Sequence, residues 1–291
     1  MLLMVRLAFI RDTPLPFFTD ELPSVREVLM PGTSTTTEQI PIRVFGGPTA
    51  LFDYGGLRFL TDPTFDAPRD YHVPGGRLTK TAPASAAPSG LGRIDVVLLS
   101  HDEHPDHLDD SGRALLADVP LTLTTPGGGQ RLGGGARGLA DWEPIELDRP
   151  GGGTITITGV PAVHGPGPRE EVEPVTGQVV GFVLTGDGLP TVYVSGDNAS
   201  LDLVKEIAER FGGVDTAILF AGAPRFPVLF DGALIVLDSA QAAEATRILG
   251  ARRVVPVHYD SWAHFTEGRD ELIAAFTDAG LLDRLDLCDR A

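Results

Sequence analysis

Three of the seven histidines in this 291-residue chain, His101, His104 and His107, fall within seven positions, and Asp106 lies among them. Imidazole and carboxylate groups are the usual protein ligands of zinc, iron and manganese, and such dense packing is unfavourable unless a cation gathers them. A solvated polar loop is the alternative interpretation. However, the apolar run at 94–99 reads as a buried strand that leads directly into the cluster, and loops at strand ends are where sites are built. The pattern therefore indicates a metal centre.

Three more residues of metal-ligand type stand at or just beyond the ends of predicted strands. They are His164, Asp197 and His258, the last in Val254-Val-Pro-Val-His258. Each alone would more often be structural, and Asp197 could simply cap a following helix. Together with the histidine cluster they form one set of strand-end ligands.

Composition restricts the partners. The formal net charge of −17 disfavours nucleic acid or an anionic membrane as the main partner and favours a small-molecule substrate. The single cysteine, Cys288, excludes an internal disulfide and a cysteine-based zinc site. Arg6 interrupts the apolar opening residues, and no window approaches the roughly 20 apolar residues of a membrane span. We therefore expect no integral membrane association and a cytoplasmic location, with homo-oligomerisation left open.

Short apolar runs between turn residues predict strands at 42–45, 50–54, 57–60, 94–99, 121–124, 154–158, 179–184, 191–195, 216–220 and 254–257. Start and stop signals predict helices at 201–211, 240–249 and 267–279, the second preceded by the capping-box spacing of Asp238 and Gln241. Early strands followed by alternating helices and strands fit a layered α/β architecture. The glycine triplets at 127–129, 133–135 and 151–153 lack any nucleotide-binding fingerprint and are predicted as flexible turns.

Two segments repeat a motif of turn glycine, strand and terminal aspartate. Gly56 leads to Asp62, and Gly188 leads to Asp197. The repetition is weak evidence by itself, but it suggests two related halves. Each half would carry an aspartate at an equivalent strand end, where sheets present site residues.

Prolines interrupt residues 1–40, which are predicted to form a peripheral N-terminal extension. The compact domain is predicted at 41–291. Residues 1–30 are expected to be dispensable, and Met30 is an alternative start.

The ligand motifs resemble the metallo-β-lactamase superfamily, whose pattern is an HxHxDH loop after a strand, then a histidine, a bridging aspartate and a final histidine. Further motifs are similar to the branch of ascorbate-6-phosphate lactonase-like and N-acylphosphatidylethanolamine phospholipase-like proteins. They are Leu60-Thr-Asp-Pro-Thr-Phe65, Ser195-Gly-Asp197, and Pro256-Val-His258 followed by Trp262 and Phe265. The resemblance covers roughly 42–289. It implies an α/β fold, a four-layer αββα sandwich of the metallo-β-lactamase type.

The resemblance also implies a role for each motif residue. His104 and His164, with one ligand from the start of the cluster, would hold a first metal, and Asp106, His107 and His258 would hold a second. Asp197 would bridge the two, and Asp62 would orient a ligand from behind. Trp262 and His264 are candidates for the substrate pocket. His72 is interpreted as a surface residue, with a place in the lining of the pocket as the alternative.

This chain departs from the HxHxDH pattern because two residues, Asp102 and Glu103, separate His101 from His104. Three registers are open, in which His101, Asp102 or Glu103 completes the first site. We favour His101 with a one-residue bulge, because a loop absorbs one residue more easily than a site changes its ligand chemistry. Asp102 and Glu103 would then point outward.

The function implied is hydrolysis at a binuclear centre of two divalent ions, with zinc favoured and manganese or iron open. A hydroxide bridging the metals, held by Asp106 and Asp197 among others, would attack an ester, lactone or phosphodiester of a small molecule. Two rival interpretations are a diiron redox protein, suggested by Glu103, and a non-catalytic metal-binding or regulatory protein.

Overall fold

The computed structural model describes residues 39–74 and 76–288, which all belong to one compact unit, Thr37–Ala291. The predicted N-terminal extension therefore lies outside the described residues, apart from its last two positions. Of these, Ile40 is buried in the core, and its carbonyl oxygen accepts a hydrogen bond from Arg253.

Fourteen strands and six α-helices follow one another along the described ranges. The strands are β1 (Ile42–Gly46), β2 (Thr49–Tyr54), β3 (Leu57–Thr61), β4 (Arg69–Val73), β5 (Gly76–Lys80), β6 (Val96–Leu98), β7 (Leu121–Thr124), β8 (Ala136–Gly138), β9 (Pro144–Asp148), β10 (Thr154–Pro161), β11 (Val180–Thr185), β12 (Val192–Val194), β13 (Thr216–Phe220) and β14 (Arg253–Val257). The helices are α1 (Asp110–Leu115), α2 (Pro126–Leu132), α3 (Arg169–Thr176), α4 (Leu201–Phe211), α5 (Ser239–Leu249) and α6 (Arg269–Asp278).

Two six-stranded sheets share one plan. The first has the order β1-β2-β3-β6-β7-β8 and the second β14-β13-β12-β11-β10-β9. In the first sheet β3 pairs antiparallel with β2 and parallel with β6; in the second, β12 pairs antiparallel with β11 and parallel with β13. Asp62 follows β3 and Asp197 follows β12. The two aspartates of the repeated motif therefore occupy equivalent positions, after the strand at which each sheet changes from antiparallel to parallel pairing.

Three apolar cores separate four layers. Phe52 and Phe59 of the first sheet meet Phe182 and Val194 of the second in the central core. The other face of the second sheet packs against α4, α5 and α6, and the other face of the first packs against Leu115 of α1 and its neighbours. This is the predicted αββα sandwich. None of the helices in the described ranges is long and apolar enough to cross a membrane.

The predicted helices and strands are confirmed within a few residues, with some corrections. The strand predicted at 94–99 covers only Val96–Leu98, and the one predicted at 154–158 continues to Pro161. Helix α6 begins at Arg269, not at 267, because the backbone N–H of Gly268 donates to the Glu271 carboxylate and caps it there. The sequence pattern did not predict β4, β5, β8, β9, α1, α2 or α3.

The interpretation of Gly127–Gly129 as a flexible turn is wrong, because these glycines lie in α2. Thr125 caps the helix by accepting a hydrogen bond from the Gly128 N–H. A Cβ atom on Gly128 would stand 2.8 Å from Thr124 Oγ1, and one on Gly129 would stand 2.5 Å from the Gly138 backbone nitrogen. The glycines therefore allow α2 to pack directly on β8.

Candidate metal centre

Three histidines from two loops form a first group, made of His101, His104 and His164. Each offers a ring nitrogen, and these nitrogens lie within 4.8 Å of one another. His101 and His104 follow β6, and His164 follows β10. The Nδ1 atom of His164 is 2.8 Å from the Ile235 carbonyl oxygen, so Nδ1 carries the proton and Nε2 faces the group as a free acceptor.

A second group is formed by Asp106, His258 and His264, whose ligand atoms also lie within 4.8 Å of one another. Asp106 Oδ2 is 3.3 Å from His258 Nε2 and 3.1 Å from His264 Nε2. All three side chains are at least nine-tenths buried. The sequence pattern suggested a place in the substrate pocket for His264, whereas its ring nitrogen reaches a candidate ligand.

Asp197 lies between these two groups, and it forms a third group with His101 and His107, whose ligand atoms also lie within 4.8 Å of one another. Its Oδ2 atom is 3.5 Å from His164 Nε2 and 3.0 Å from His107 Nε2, and its Oδ1 atom is 3.3 Å from His258 Nδ1. One carboxylate therefore contacts a histidine of the first group, a histidine of the second and His107. Such an arrangement suits a residue shared by two ions.

Asp62 supports the cluster from behind. Its Oδ1 atom accepts hydrogen bonds from the Ser100 backbone N–H at 2.9 Å and hydroxyl at 2.7 Å, and it lies 3.2 Å from His107 Nδ1. These contacts leave His107 Nε2 directed towards Asp197. Asp62 is thereby placed to orient His107, and the orienting role that the resemblance implied stays a prediction.

The backbone at the site is held in unusual conformations. Asp62 and His258 have φ values of 31° and 58°, in the left-handed region that residues with a side chain seldom adopt. Gly196, with φ 58°, lies where a Cβ atom would stand 2.8 Å from Ser100 Cβ. The glycine of the Ser-Gly-Asp motif therefore lets Asp197 approach the histidine loop closely.

Asp102 and Glu103 both face Arg131 of α2. The Arg131 Nη2 atom is 2.5 Å from Asp102 Oδ1 and 3.1 Å from Glu103 Oε2. Neither carboxylate belongs to the groups of possible ligand atoms in the described part of the chain. This arrangement corresponds to the register in which His101 completes the first group and the two acidic residues point away.

Burial and mutual contact shift the pKa values within the site. Burial lowers the pKa of His104 to about 4 and also lowers that of His101 and His164. Burial opposes ionisation of Asp106 and Asp197, but neighbouring imidazoles, His107 first among them, outweigh it and hold both pKa values well below the usual range. Burial likewise opposes protonation of His107, but the Asp197 and Asp106 carboxylates outweigh it and hold the pKa of His107 well above its usual range. Neutral imidazoles and ionised carboxylates are the states that bind metals, so His107 would have to release a proton on binding an ion.

Several buried polar atoms in the site lack a hydrogen-bond partner, although they lie close to other polar atoms. They are Asp62 Oδ2, Asp106 Oδ1, His107 Nε2, Asp197 Oδ1, His258 Nδ1 and His264 Nδ1. Buried polar groups are normally hydrogen-bonded, so such a concentration requires an explanation. Because the donor set consists of imidazole nitrogens and carboxylate oxygens, divalent zinc, manganese or iron fits it.

The other sequence candidates lie away from the ligand atoms. Trp262 is buried against Tyr71 and Leu78 of the β4–β5 hairpin, and its ring centroid is 6.2 Å from that of His264. His72 is exposed on β4, as predicted for a surface residue. Ser100 and Arg131 were missed as partners of the site, since a single serine or arginine carries no spacing signal.

A second buried polar cluster, called the Lys80 cluster below, consists of Lys80, Asp109, Asp66, Tyr71 and Ser111. Lys80 Nζ is 2.9 Å from Asp109 Oδ2, and their side chains are 1% and 0% exposed. The other Asp109 oxygen accepts from the Gly112 N–H at the start of α1, and Asp66 accepts from the Tyr71 hydroxyl at 2.7 Å and from Ser111. The cluster ties the β4–β5 hairpin to the segment that follows the histidines.

The fold and the site define a class of protein. The family model described as the beta-lactamase superfamily domain matches residues 57–259, and the chain belongs to this family. A UPF0173 metal-dependent hydrolase of Pyrococcus furiosus is 25% identical over 222 residues, which are 75% of this chain and 84% of the relative. The chain is a metal-dependent hydrolase of the metallo-β-lactamase fold.

Solved structures share this fold at lower identity. An isothiocyanate hydrolase from Delia radicum gut bacteria aligns with a TM-score of 0.69 and 21% identity, covering 84% of this chain and 94% of that one. CmlA, a diiron β-hydroxylase from Streptomyces venezuelae, aligns with a TM-score of 0.58 and 20% identity, covering 85% of this chain and 51% of that one. Both likenesses concern the fold alone.

Proposed function

We propose that the chain is a binuclear hydrolase that holds two divalent ions, with zinc as the favoured metal. His101, His104 and His164 would hold the first ion, and Asp106, His107 and His258 the second. The observation that carries this proposal is the position of Asp197, whose carboxylate contacts histidines of both sets.

The chain's own residues fix the geometry of the reaction. When bound, two divalent ions supply a Lewis acid and lower the pKa of a shared water towards neutrality. Asp197 holds the two ligand sets at a fixed separation, Asp62 fixes the orientation of His107, and the Ile235 carbonyl fixes the proton of His164 on Nδ1. No side-chain nucleophile is needed, and the substrate proposed is a small ester, lactone or phosphodiester.

The rival redox function has weaker support. Glu103 suggested it, yet this carboxylate pairs with Arg131 and lies outside the ligand groups. The fold is shared with a diiron β-hydroxylase, so iron stays open as the native metal. Hydrolysis stays the preferred reaction.

The cytoplasmic location stays a prediction.

The proposal is tested by elemental analysis of protein purified without added metal, followed by a panel of phosphodiester, lactone and ester substrates. We expect close to two metals per chain and turnover of at least one ester-type substrate that stops on chelation and returns on adding zinc. Protein carrying a single ion with full activity would contradict the binuclear centre. Turnover that survives complete chelation would contradict metal-dependent attack.

A further inference from the structure

His264 lies where a second imidazole converges on the oxygen of Asp106. Asp106 Oδ2 has His258 Nε2 at 3.3 Å and His264 Nε2 at 3.1 Å, while Asp106 Oδ1 is buried without a partner. Hydrogen bonding alone would be better satisfied by one imidazole on each oxygen. Two ring nitrogens and one carboxylate oxygen within 4.8 Å of one another form a donor set that suits coordination of one ion.

The ring of His264 is held in this orientation by apolar neighbours. Phe226 stacks against it with centroids 5.6 Å apart and planes inclined by 29°, and Phe265 lies at 4.5 Å. The side chain is only 8% exposed. An imidazole confined in this way loses little further entropy on binding an ion, because its rotamer is already fixed.

The backbone that carries His264 is anchored on both sides. The Ala263 N–H donates to the Thr79 carbonyl at 2.9 Å, and the Thr266 N–H donates to the Gly222 carbonyl at 3.0 Å. Between His258 and His264 the chain turns back through Ser261, whose φ is 68°. This strained turn places a second histidine beside the one at the end of β14.

We propose that His264 is a ligand of the second metal, together with Asp106, His107, His258 and Asp197. The inference rests on the proposed binuclear centre and goes beyond the ligands that the motif implied. The second ion would then have five protein ligands, whereas the first has His101, His104, His164 and Asp197. With more protein ligands, the second ion would have fewer positions left for substrate or water than the first.

The test compares His264→Ala with His72→Ala, which removes an exposed histidine of β4 as a matched control. Zn²⁺ and Co²⁺ are titrated against a competing chelator. We expect His264→Ala to weaken the second equivalent by at least about 10-fold, the lower end of what even outer-sphere changes cost, while the first equivalent is unchanged. The visible absorption of bound Co²⁺ should gain intensity as the coordination number falls. Affinities and a spectrum that match those of His72→Ala would overturn the proposal.

A crystal structure of the metal-loaded unmutated protein gives an answer that does not depend on the variant's folding. A His264 Nε2 atom about 2.0–2.3 Å from an ion supports the proposal. A ring that stays hydrogen-bonded to Asp106 and more than about 3 Å from both ions contradicts it. If two ions bind without His264, only this inference fails; if the unmutated protein binds none, the proposed function fails as well.

Discussion

The metal centre and the Lys80 cluster are both buried and both rich in charged groups. They differ in whether their buried polar atoms have hydrogen-bond partners. In the Lys80 cluster, Asp109 and Asp66 receive several hydrogen bonds and one ammonium group, and no side-chain atom of the cluster is buried without a partner. In the metal centre, Asp106, Asp197 and His258 each have a buried atom without a hydrogen-bond partner. Burial and charge density therefore do not mark a functional site by themselves; what distinguishes the metal centre is the concentration of ligand-type atoms without a hydrogen-bond partner.

The comparison predicts different consequences of mutation in the two clusters. A change in the metal centre should remove metal and leave the metal-free fold intact, because its polar atoms stabilise little until a cation joins them. A change in the Lys80 cluster should do the reverse, because its polar atoms already stabilise one another.

The largest effect is expected for Asp197→Ala. Loss of the shared carboxylate should deplete both ions and reduce hydrolysis by more than the roughly 10–100-fold that outer-sphere changes typically cost. Metal content, turnover and far-UV circular dichroism check this together. Asp202→Ala, at an exposed position of α4, is the control. Near-normal activity in Asp197→Ala would contradict the bridging role.

Lys80→Met should lower the free energy of unfolding by about 3–5 kcal/mol, because it leaves the Asp109 carboxylate buried without its partner. Metal per folded chain should stay at the unmutated level. Denaturant unfolding of the metal-free proteins measures the effect, with the exposed Lys205→Met as control. Unchanged stability combined with lost metal would reverse the comparison between the clusters.

Asp62→Asn should weaken metal binding by about 10–100-fold, because the amide cannot orient His107 as the carboxylate does. The fold should tolerate the change, since Asn keeps the size of the side chain. Chelator competition provides the measurement. A variant with unmutated affinity would show that Ser100 alone suffices to hold the loop.

Asp102→Asn and Glu103→Gln should each retain both metals, but Asp102→Asn should cost more stability, about 1–3 kcal/mol, because the Asp102 side chain is 4% exposed whereas that of Glu103 is 36% exposed. His101→Ala should instead lose the first metal. The number of metal ions bound per chain in the three variants distinguishes among the three registers of the histidine loop. Full occupancy in His101→Ala with depletion in either carboxylate variant would favour a carboxylate ligand.

The smallest effect is expected from removing residues 1–30. Prolines interrupt this segment and leave it little capacity to join the core. We expect the free energy of unfolding to change by no more than about 0.5 kcal/mol and the metal content to stay at the unmutated level. A shortened chain that fails to fold would show that the prediction of a dispensable segment is wrong.

The sequence predicted the fold and the residues that converge because the signals were periodic and positional. Buried strands such as Thr216–Phe220 are continuous apolar runs. The ligand-type residues that follow β6 of the first sheet and β10, β12 and β14 of the second meet in one cluster. The capping box of Asp238 and Gln241 likewise fixed the start of α5.

The features that escaped prediction lack such periodicity. The β4–β5 hairpin is largely exposed and charged, and the helix at Arg169–Thr176 contains Pro174. The residues that flank Lys80 give no sign of its buried partner, Asp109, which lies 29 positions later in the sequence. The position of His264 likewise depends on a turn at Ser261 that spacing alone does not reveal.

The glycine-rich helix α2 has a consequence for protein engineering. Replacing helical glycines by alanine is a standard route to greater heat tolerance, worth about 1 kcal/mol per site in an open helix. At Gly129 the added methyl group would collide with the backbone of Gly138, and at Gly128 it would meet Thr124 and the Asp102 carboxylate. A design based on helix propensity would thus force α2 away from the sheet and disturb the segment that carries the histidines. In this enzyme, thermostabilisation should begin elsewhere on the surface.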